Sequence, residues 1–324
     1  MRANVLTKFG PPEAFQLKDI EKPVPKDDEV LIRIWATTVT AADCQIRSLN
    51  FPFWARLPIR IWLDRRLPNL ILGQELAGEV EAVGKAVDRF KPGDQIFGTA
   101  GFRLGTYAEY ICLPAAPAAG VLGLKPANMS YEEAVALSIG GLEAVHFLRK
   151  AYIQGGERVL IVGAGGSIGT FAVQLASHFG AEVNGIDSTG KLDMLRALGA
   201  DYVIDYTRED FTKSGETYDV IFDVIGKSSF SDSLRSLKPN GRYMLGNPGA
   251  SQTVRGHWTP LRNGQKVIFR TAGQGTDELD FLRELVEAGH IRTVIDRRYP
   301  LEQIADAHRY VDTGQKKGNV IITF

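Results

Sequence analysis

The stretch with the plainest chemistry begins at Arg158-Val159-Leu160-Ile161-Val162, which reads as a buried strand. Gly163-Ala164-Gly165-Gly166-Ser167-Ile168-Gly169 follows as a turn of small residues, and a helical run covers 170–179. Strand, glycine turn and helix in that order let a backbone approach a pyrophosphate closely, with free amides and the positive end of the helix meeting its charge. Ala164, Gly166 and Gly169 hold the three key positions of an Ala-x-Gly-x-x-Gly variant. A glycine turn can also be only a junction, but on this strand and helix, with further strands behind it, the pattern points to a dinucleotide.

The next strand ends at Asp187, close to the spacing at which an acid holds the adenosine ribose hydroxyls, and taken alone this favours NAD. Ser188, Thr189 and Lys191 follow at once, and Tyr206 ends the third strand, all able to surround a ribose phosphate with donors and positive charge. The two signals conflict. The balance leans slightly to NADP, with NAD kept open, and Asp187 with Lys191 can also be no more than a solvated helix start.

These groups need a scaffold. At 324 residues the chain exceeds what one core usually supports, so two domains with a cleft between them are expected. Short β-rich runs at 30–39 and 77–97, broken by Val83-Gly84 and Lys91-Pro92-Gly93-Asp94, describe a barrel-like unit. Ser130-Tyr131-Glu132-Glu133 offers an N-cap with an acid three residues on, so a new domain begins near Pro126. Strand-like runs at 158–162, 182–186, 202–204, 220–222, 243–245 and 266–269, mostly alternating with helical patterns, imply a parallel sheet. A helix at 277–288, a helical period at 304–311 and a strand at 320–323 are assigned back to the first domain.

Lys plus Arg and Asp plus Glu both number 38, so no global field draws the chain to nucleic acid. Cys44 and Cys112 are too few for a disulfide framework and lack the spacing of a metal site. Neither has a base beside it in sequence to make it a nucleophile. No cleavable leader pattern or long apolar span is visible, and a cytoplasmic protein is expected.

The whole chain resembles the zinc-independent quinone and enone reductase branch of the medium-chain dehydrogenase/reductase superfamily. The resemblance is carried by Gly73-Gln74-Glu75-Leu76-Ala77-Gly78-Glu79-Val80, Phe90-Lys91-Pro92-Gly93-Asp94, Gly105-Thr106-Tyr107-Ala108-Glu109-Tyr110, the 163–169 loop and Leu198-Gly199-Ala200-Asp201. It implies an α/β chain: a GroES-like β-barrel catalytic domain (1–125, returning at 273–324) with an inserted Rossmann domain, a doubly wound parallel sheet, at 126–272. A homodimer is implied too. Positions matching the zinc ligands of related alcohol dehydrogenases are Thr40, Gln74 and Ile139, unsuited to that metal, so no zinc is expected.

The resemblance implies hydride transfer from NAD(P)H to a small, mainly apolar quinone or α,β-unsaturated carbonyl compound. Thr40 and Asp43 match the polar cluster facing the nicotinamide; Thr40 is the first candidate donor to the substrate oxygen, with Gln74 and Tyr107 as alternatives. Thr40 and Asp43 can equally cap a helix. Gly246-Asn247-Pro248 is implied beside the nicotinamide, and Val224-Ile225-Gly226 beside the adenosine. In Lys317-Gly318-Asn319, Asn319 stands where relatives usually carry Lys, which weakens any phosphate contact there. Other functional readings are an NAD(P)-dependent alcohol dehydrogenase and a catalytically weak nucleotide-binding structural or sensor protein. Residues 51–66, rich in Trp and Arg, can be core packing of a helical insert, a lid over a lipophilic substrate, or a peripheral membrane contact. His146 and His257 read as structural.

Overall fold

The structure, a computed structural model, describes residues 1–116, 120–247, 252–253, 255–256, 263–269 and 275–324. Pro248, His257, the expected limit at 272 and the side chain of Phe53 lie outside the described residues. The chain divides into two compact units: Met1–Ile139, Gln274–Glu287 and Thr293–Phe324 form one, Gly140–Gly273 and Ala288–Arg292 the other.

In the first unit the long strand Glu29–Thr38 is central. It pairs antiparallel with Glu75–Val83, with Tyr110–Pro114 and with the terminal strand Asn319–Thr323, in register Ile321 to Thr38. Gln95–Thr99 and Val121–Leu124 extend this sheet on one side, and Ile295–Pro300 on the other. The alternation of apolar and polar residues buries Val30, Ile32 and Ile34 with Leu76, Val80 and Ile96. A three-stranded sheet of Phe15–Asp19, Arg2–Leu6 and Leu70–Ile71 covers a second core, which holds Tyr107, Leu63 and Ile304.

In the second unit six parallel strands lie in the spatial order Tyr202–Asp205, Glu182–Asp187, Arg158–Val162, Tyr218–Asp223, Leu237–Leu245, Lys266–Phe269. Val159, Leu160 and Ile161 are fully buried because their strand has neighbours on both sides and helices over its faces, which is why it reads as an unbroken apolar run. Strand order reverses at this strand, and its carboxyl end opens into the glycine turn.

Ser130 and Glu133 form the reciprocal cap their spacing predicts: the Glu133 amide donates to the Ser130 hydroxyl at 3.2 Å, and Glu133 accepts the Ser130 amide at 2.9 Å. The helix it starts, Tyr131–Ala151, carries the chain from one unit into the other, so the division falls inside a helix rather than near Pro126. Within the tail assigned to the first domain, Ala288–Arg292 belongs with the second unit. The Gln174 side chain accepts the Arg292 amide at 2.8 Å and donates to its carbonyl at 3.0 Å, tying that short segment to the helix that follows the glycine turn.

Candidate active site

In the second unit the turn after Arg158–Val162 is held by its own backbone. The amides of Gly163 and Ala164 both donate to the Ile186 carbonyl, at 3.0 and 3.1 Å, and Gly163 takes a φ of 81°. Helix Ser167–His178 then starts one turn earlier than the sequence suggested, with Gly166 as its N-cap. A glycine cap has no side chain to give the first-turn amides, which lack intrahelical acceptors and point along the helix axis.

The glycines have separate jobs. A Cβ on Gly169 would lie 2.6 Å from the Ala164 backbone, so this residue sets how closely helix and strand approach. A Cβ on Gly165 would meet Asp187 and Lys191 at 2.9 and 2.5 Å. One on Gly166 would find its nearest neighbour, the Gly163 carbonyl oxygen, at 3.7 Å, an ordinary contact, so the fold itself does not demand glycine there and a close approach of a ligand gives a reason for it. The loop fits a dinucleotide.

Asp187 ends its strand buried. Its Oδ2 accepts the Gly165 amide at 2.8 Å, and its Oδ1 accepts the Ser188 amide at 2.8 Å and pairs with the buried Lys191 ammonium at 3.1 Å. Beside it in register is Asp205, which accepts the Thr189 hydroxyl and pairs with the exposed Arg208 guanidinium at 3.5 Å. Tyr206 is exposed next to them. The structure thus adds Arg208 to the predicted group; its only sequence signal was a basic residue just past the third strand.

The turns after the fourth and fifth strands are tied together. Asn247 Nδ2 donates to the Val224 carbonyl at 2.9 Å, Gly246 to the Asp223 carbonyl at 2.9 Å, and Gly226 adopts a φ of 66° against Asn247. Ile225 reaches back to Gly163, where a Cβ would stand 2.8 Å from its Cγ2. The predicted residues from 163 to 247 therefore gather at the carboxyl ends of adjoining parallel strands, the place where such sheets bind ligands.

In the first unit Thr40 caps helix Ala41–Ser48. Its hydroxyl accepts the Asp43 amide at 3.1 Å and donates to Asp43 Oδ2 at 2.6 Å, and that oxygen also accepts the Thr40 amide at 2.9 Å. Capping is thus present. Asp43, however, is fully buried, and its Oδ1 finds no hydrogen-bond partner among the described residues. The buried Tyr107 hydroxyl, also without a partner of good geometry, is close enough for each to bear on the other's titration. Burial pushes the Asp43 carboxyl up to about 6, against the bonds from Thr40.

Glu75 is a group the sequence did not single out. It lies buried, accepts the Ile139 amide at 2.6 Å on Oε1 and the Thr38 hydroxyl on Oε2, and burial, with a further push from the Asp43 charge, raises it to about 7. Only its place in the Gly73-Gln74-Glu75 run hinted at a role. Gln74 is half-buried and its amide nitrogen stands 3.5 Å from the Gly101 carbonyl. Thr40, Gln74 and Ile139 offer a hydroxyl, a carboxamide and a hydrocarbon, and no cluster of three or more His, Cys, Asp or Glu among the described residues is arranged for a metal. This donor set does not fit zinc.

Several other groups prove structural. The Cys44 sulfur stands 3.3 Å from His308 Nδ1, a pairing invisible in sequence, but burial raises the thiol and lowers the imidazole to about 3, the reverse of an activated nucleophile. Asn319 is buried and donates to the Val294 carbonyl at 3.2 Å. His146 packs edge-on against Phe147.

Comparison with known proteins accords with this geometry. The family model described as alcohol dehydrogenase GroES-like domain matches residues 26–122, and that described as zinc-binding dehydrogenase matches residues 198–322. A 2-methylene-furan-3-one reductase from Solanum lycopersicum is 31% identical over 334 residues, covering 99% of this chain and 79% of that protein. The quinone oxidoreductase of Coxiella burnetii superposes with a TM-score of 0.89 at 28% identity, over 100% of this chain and 99% of the other. The Escherichia coli quinone oxidoreductase, solved in complex with NADPH, superposes with a TM-score of 0.83 at 25% identity, over 100% of both chains. With sequence kinship and fold in agreement from end to end, the chain belongs to the quinone and enone oxidoreductases of the medium-chain dehydrogenase/reductase superfamily.

Proposed function

We propose that this protein uses NADPH, without zinc, to reduce small apolar α,β-unsaturated ketones and quinones. The observation that carries the proposal is the open face of the Gly166-capped helix beside a neutralised Asp187. Two solved relatives, from Coxiella burnetii and Escherichia coli, are named for quinones, and a 2-methylene-furan-3-one is itself an unsaturated ketone; another solved relative is named an NAD-dependent alcohol dehydrogenase, which keeps that second reading in the test below.

The preference for NADPH follows from charge. A free carboxylate after the second strand would repel a ribose 2′-phosphate, but Asp187 spends its charge on Lys191 and on two backbone amides. Arg208, exposed on the neighbouring strand end, supplies a planar fork suited to phosphate.

The bound nicotinamide would supply the hydride. The chain's own task is to hold the acceptor and stabilise the oxygen on which charge collects. Thr40 is the donor in this proposal, and Asp43 positions it. When Asp43 is ionised it takes the Thr40 hydroxyl hydrogen; when protonated it donates to Thr40 Oγ1 and frees that hydrogen for the substrate. Tyr107 is wholly buried, so its role here is to modulate Asp43. Gln74 is the alternative donor.

A homodimer is part of the proposal, supported by the edge strand Lys266–Phe269, which pairs only with Leu237–Leu245 among the described residues. A cytoplasmic location is supported by Cys44 and Cys112, both free and buried. The test is to follow oxidation of NADPH and NADH with enones, quinones and simple aldehydes, before and after chelation. Turnover of enones or quinones that survives the chelator is expected; turnover restored only by zinc, or NADPH binding with no acceptor reduced, would overturn the reading.

A further inference from the structure

The helix Phe53–Asp64 has two apolar sides. Leu63 is fully buried, and Ile59 packs against the same core. At about 100° per residue, Trp54, Leu57 and Ile61 fall in an arc nearly opposite these two, and they are 60%, 64% and 51% exposed. A helix apolar on opposite faces is normally covered on both. The outer face is uncovered among the described residues.

The surface continues past the helix. Arg66 lies over the Trp62 ring at 4.5 Å and donates to the Arg103 carbonyl at 3.0 Å, next to Phe102, whose ring is also exposed. Charge is concentrated here too: over residues 51–66 Arg56, Arg60, Arg65 and Arg66 stand against one carboxylate, Asp64, in a chain whose net charge is zero.

We propose that this face is an interfacial anchor that seats the protein on an anionic phospholipid bilayer. Leucine and isoleucine at the centre suit acyl chains and tryptophan suits the headgroup boundary; Arg65, which falls in the same outer arc, and Arg60 at its side, paired with Asp64 at 3.3 Å, suit anionic lipid. A second copy of the chain fits less well. A two-fold contact would set the arginines against their own image, and one short helix supplies far fewer side chains than the roughly 20–30 per partner of a stable interface. The proposal stands on the surface alone, independent of the reductase reading.

The test is flotation of the intact protein with vesicles of phosphatidylcholine, alone or mixed with phosphatidylglycerol. Binding only to the mixed vesicles, weakened by salt, is expected. Arg60→Gln with Arg65→Gln should lower partitioning about thirtyfold. Trp54→Ala with Leu57→Ala and Ile61→Ala should abolish it while turnover of a soluble enone persists. Quenching of tryptophan emission by brominated phosphatidylcholine in the mixed vesicles tests insertion without any variant. No flotation, no quenching, or undiminished binding by the triple variant overturns the proposal. So does a triple variant that changes oligomeric mass without lipid, or tighter binding to single-stranded DNA than to the mixed vesicles.

Discussion

The carboxylate of Asp187 accepts the amide of Gly165 at 2.8 Å, which makes the acid at the end of the second Rossmann strand a brace for the glycine turn. Lys191, 3.1 Å from its other oxygen, nearly removes it from solvent. An acid at this spacing normally signals NAD, but here it is committed to the protein. In the proposed reading, cofactor choice passes to the groups around it, Arg208 foremost.

Arg208→Gln should therefore raise the KM for NADPH about tenfold, the effect of losing one charge-assisted contact, and leave that for NADH nearly unchanged. Steady-state rates with each cofactor measure this. Equal losses for both would remove Arg208 from the phosphate site. Its side chain is exposed and its pairing with Asp205 is long at 3.5 Å, so the fold should not suffer.

Thr40→Val should lower kcat/KM about a hundredfold, the usual cost of losing an oxyanion donor, without weakening NADPH binding. It also deletes a helix cap and should cost about 1 kcal/mol of stability. Thr40→Ser restores both hydroxyl and cap. Activity that returns with serine, measured against a thermal melt, separates the donor from the cap; a valine variant of full activity would assign the donor elsewhere.

Glu75 makes a pH prediction. Burial raises Glu75 from 4.5 to about 7, so the proton is bound more tightly in the folded chain. Such a group contributes stability that is complete below its unfolded pKa and lost as pH rises through the folded one. Relative to Glu75→Gln, which keeps an acceptor for the Ile139 amide and turns an amide donor toward the Thr38 hydroxyl in place of the carboxylate acceptor, the parent should lose on the order of 3 kcal/mol between pH 4.5 and 7. Denaturant unfolding across that range measures it. A difference independent of pH would mean Glu75 titrates normally.

Much of the cofactor unit was legible because its signals are local. A buried parallel strand is an unbroken apolar run, and a close helix–strand junction demands glycine; Arg158–Val162 and Gly169 show both. Gly163, Gly165 and Asp187 also lie within one short span of chain. What stayed hidden depends on partners distant in sequence. Glu75 acquires its character from Thr38 and Ile139, and Cys44 acquires its histidine from position 308. The unit boundary eluded the sequence because helix Tyr131–Ala151 runs through it without a break in periodicity. Thr40 and Asp43 were visible as a cap or as a site, and spacing alone cannot separate these; complete burial of a carboxyl with an unpartnered oxygen is what sets this cap apart.

Two glycines in the loop at 163–169 behave oppositely. Gly169→Ala crowds the Ala164 backbone and should destabilise the fold by about 1–3 kcal/mol, whereas a Cβ at Gly166 meets the Gly163 carbonyl oxygen only at an ordinary 3.7 Å. The most direct measurement is titration of NADPH into Gly166→Glu, with a thermal melt confirming that it folds. A folded variant that no longer binds NADPH is predicted; one that binds with the parent's affinity would show that this loop does not hold the dinucleotide.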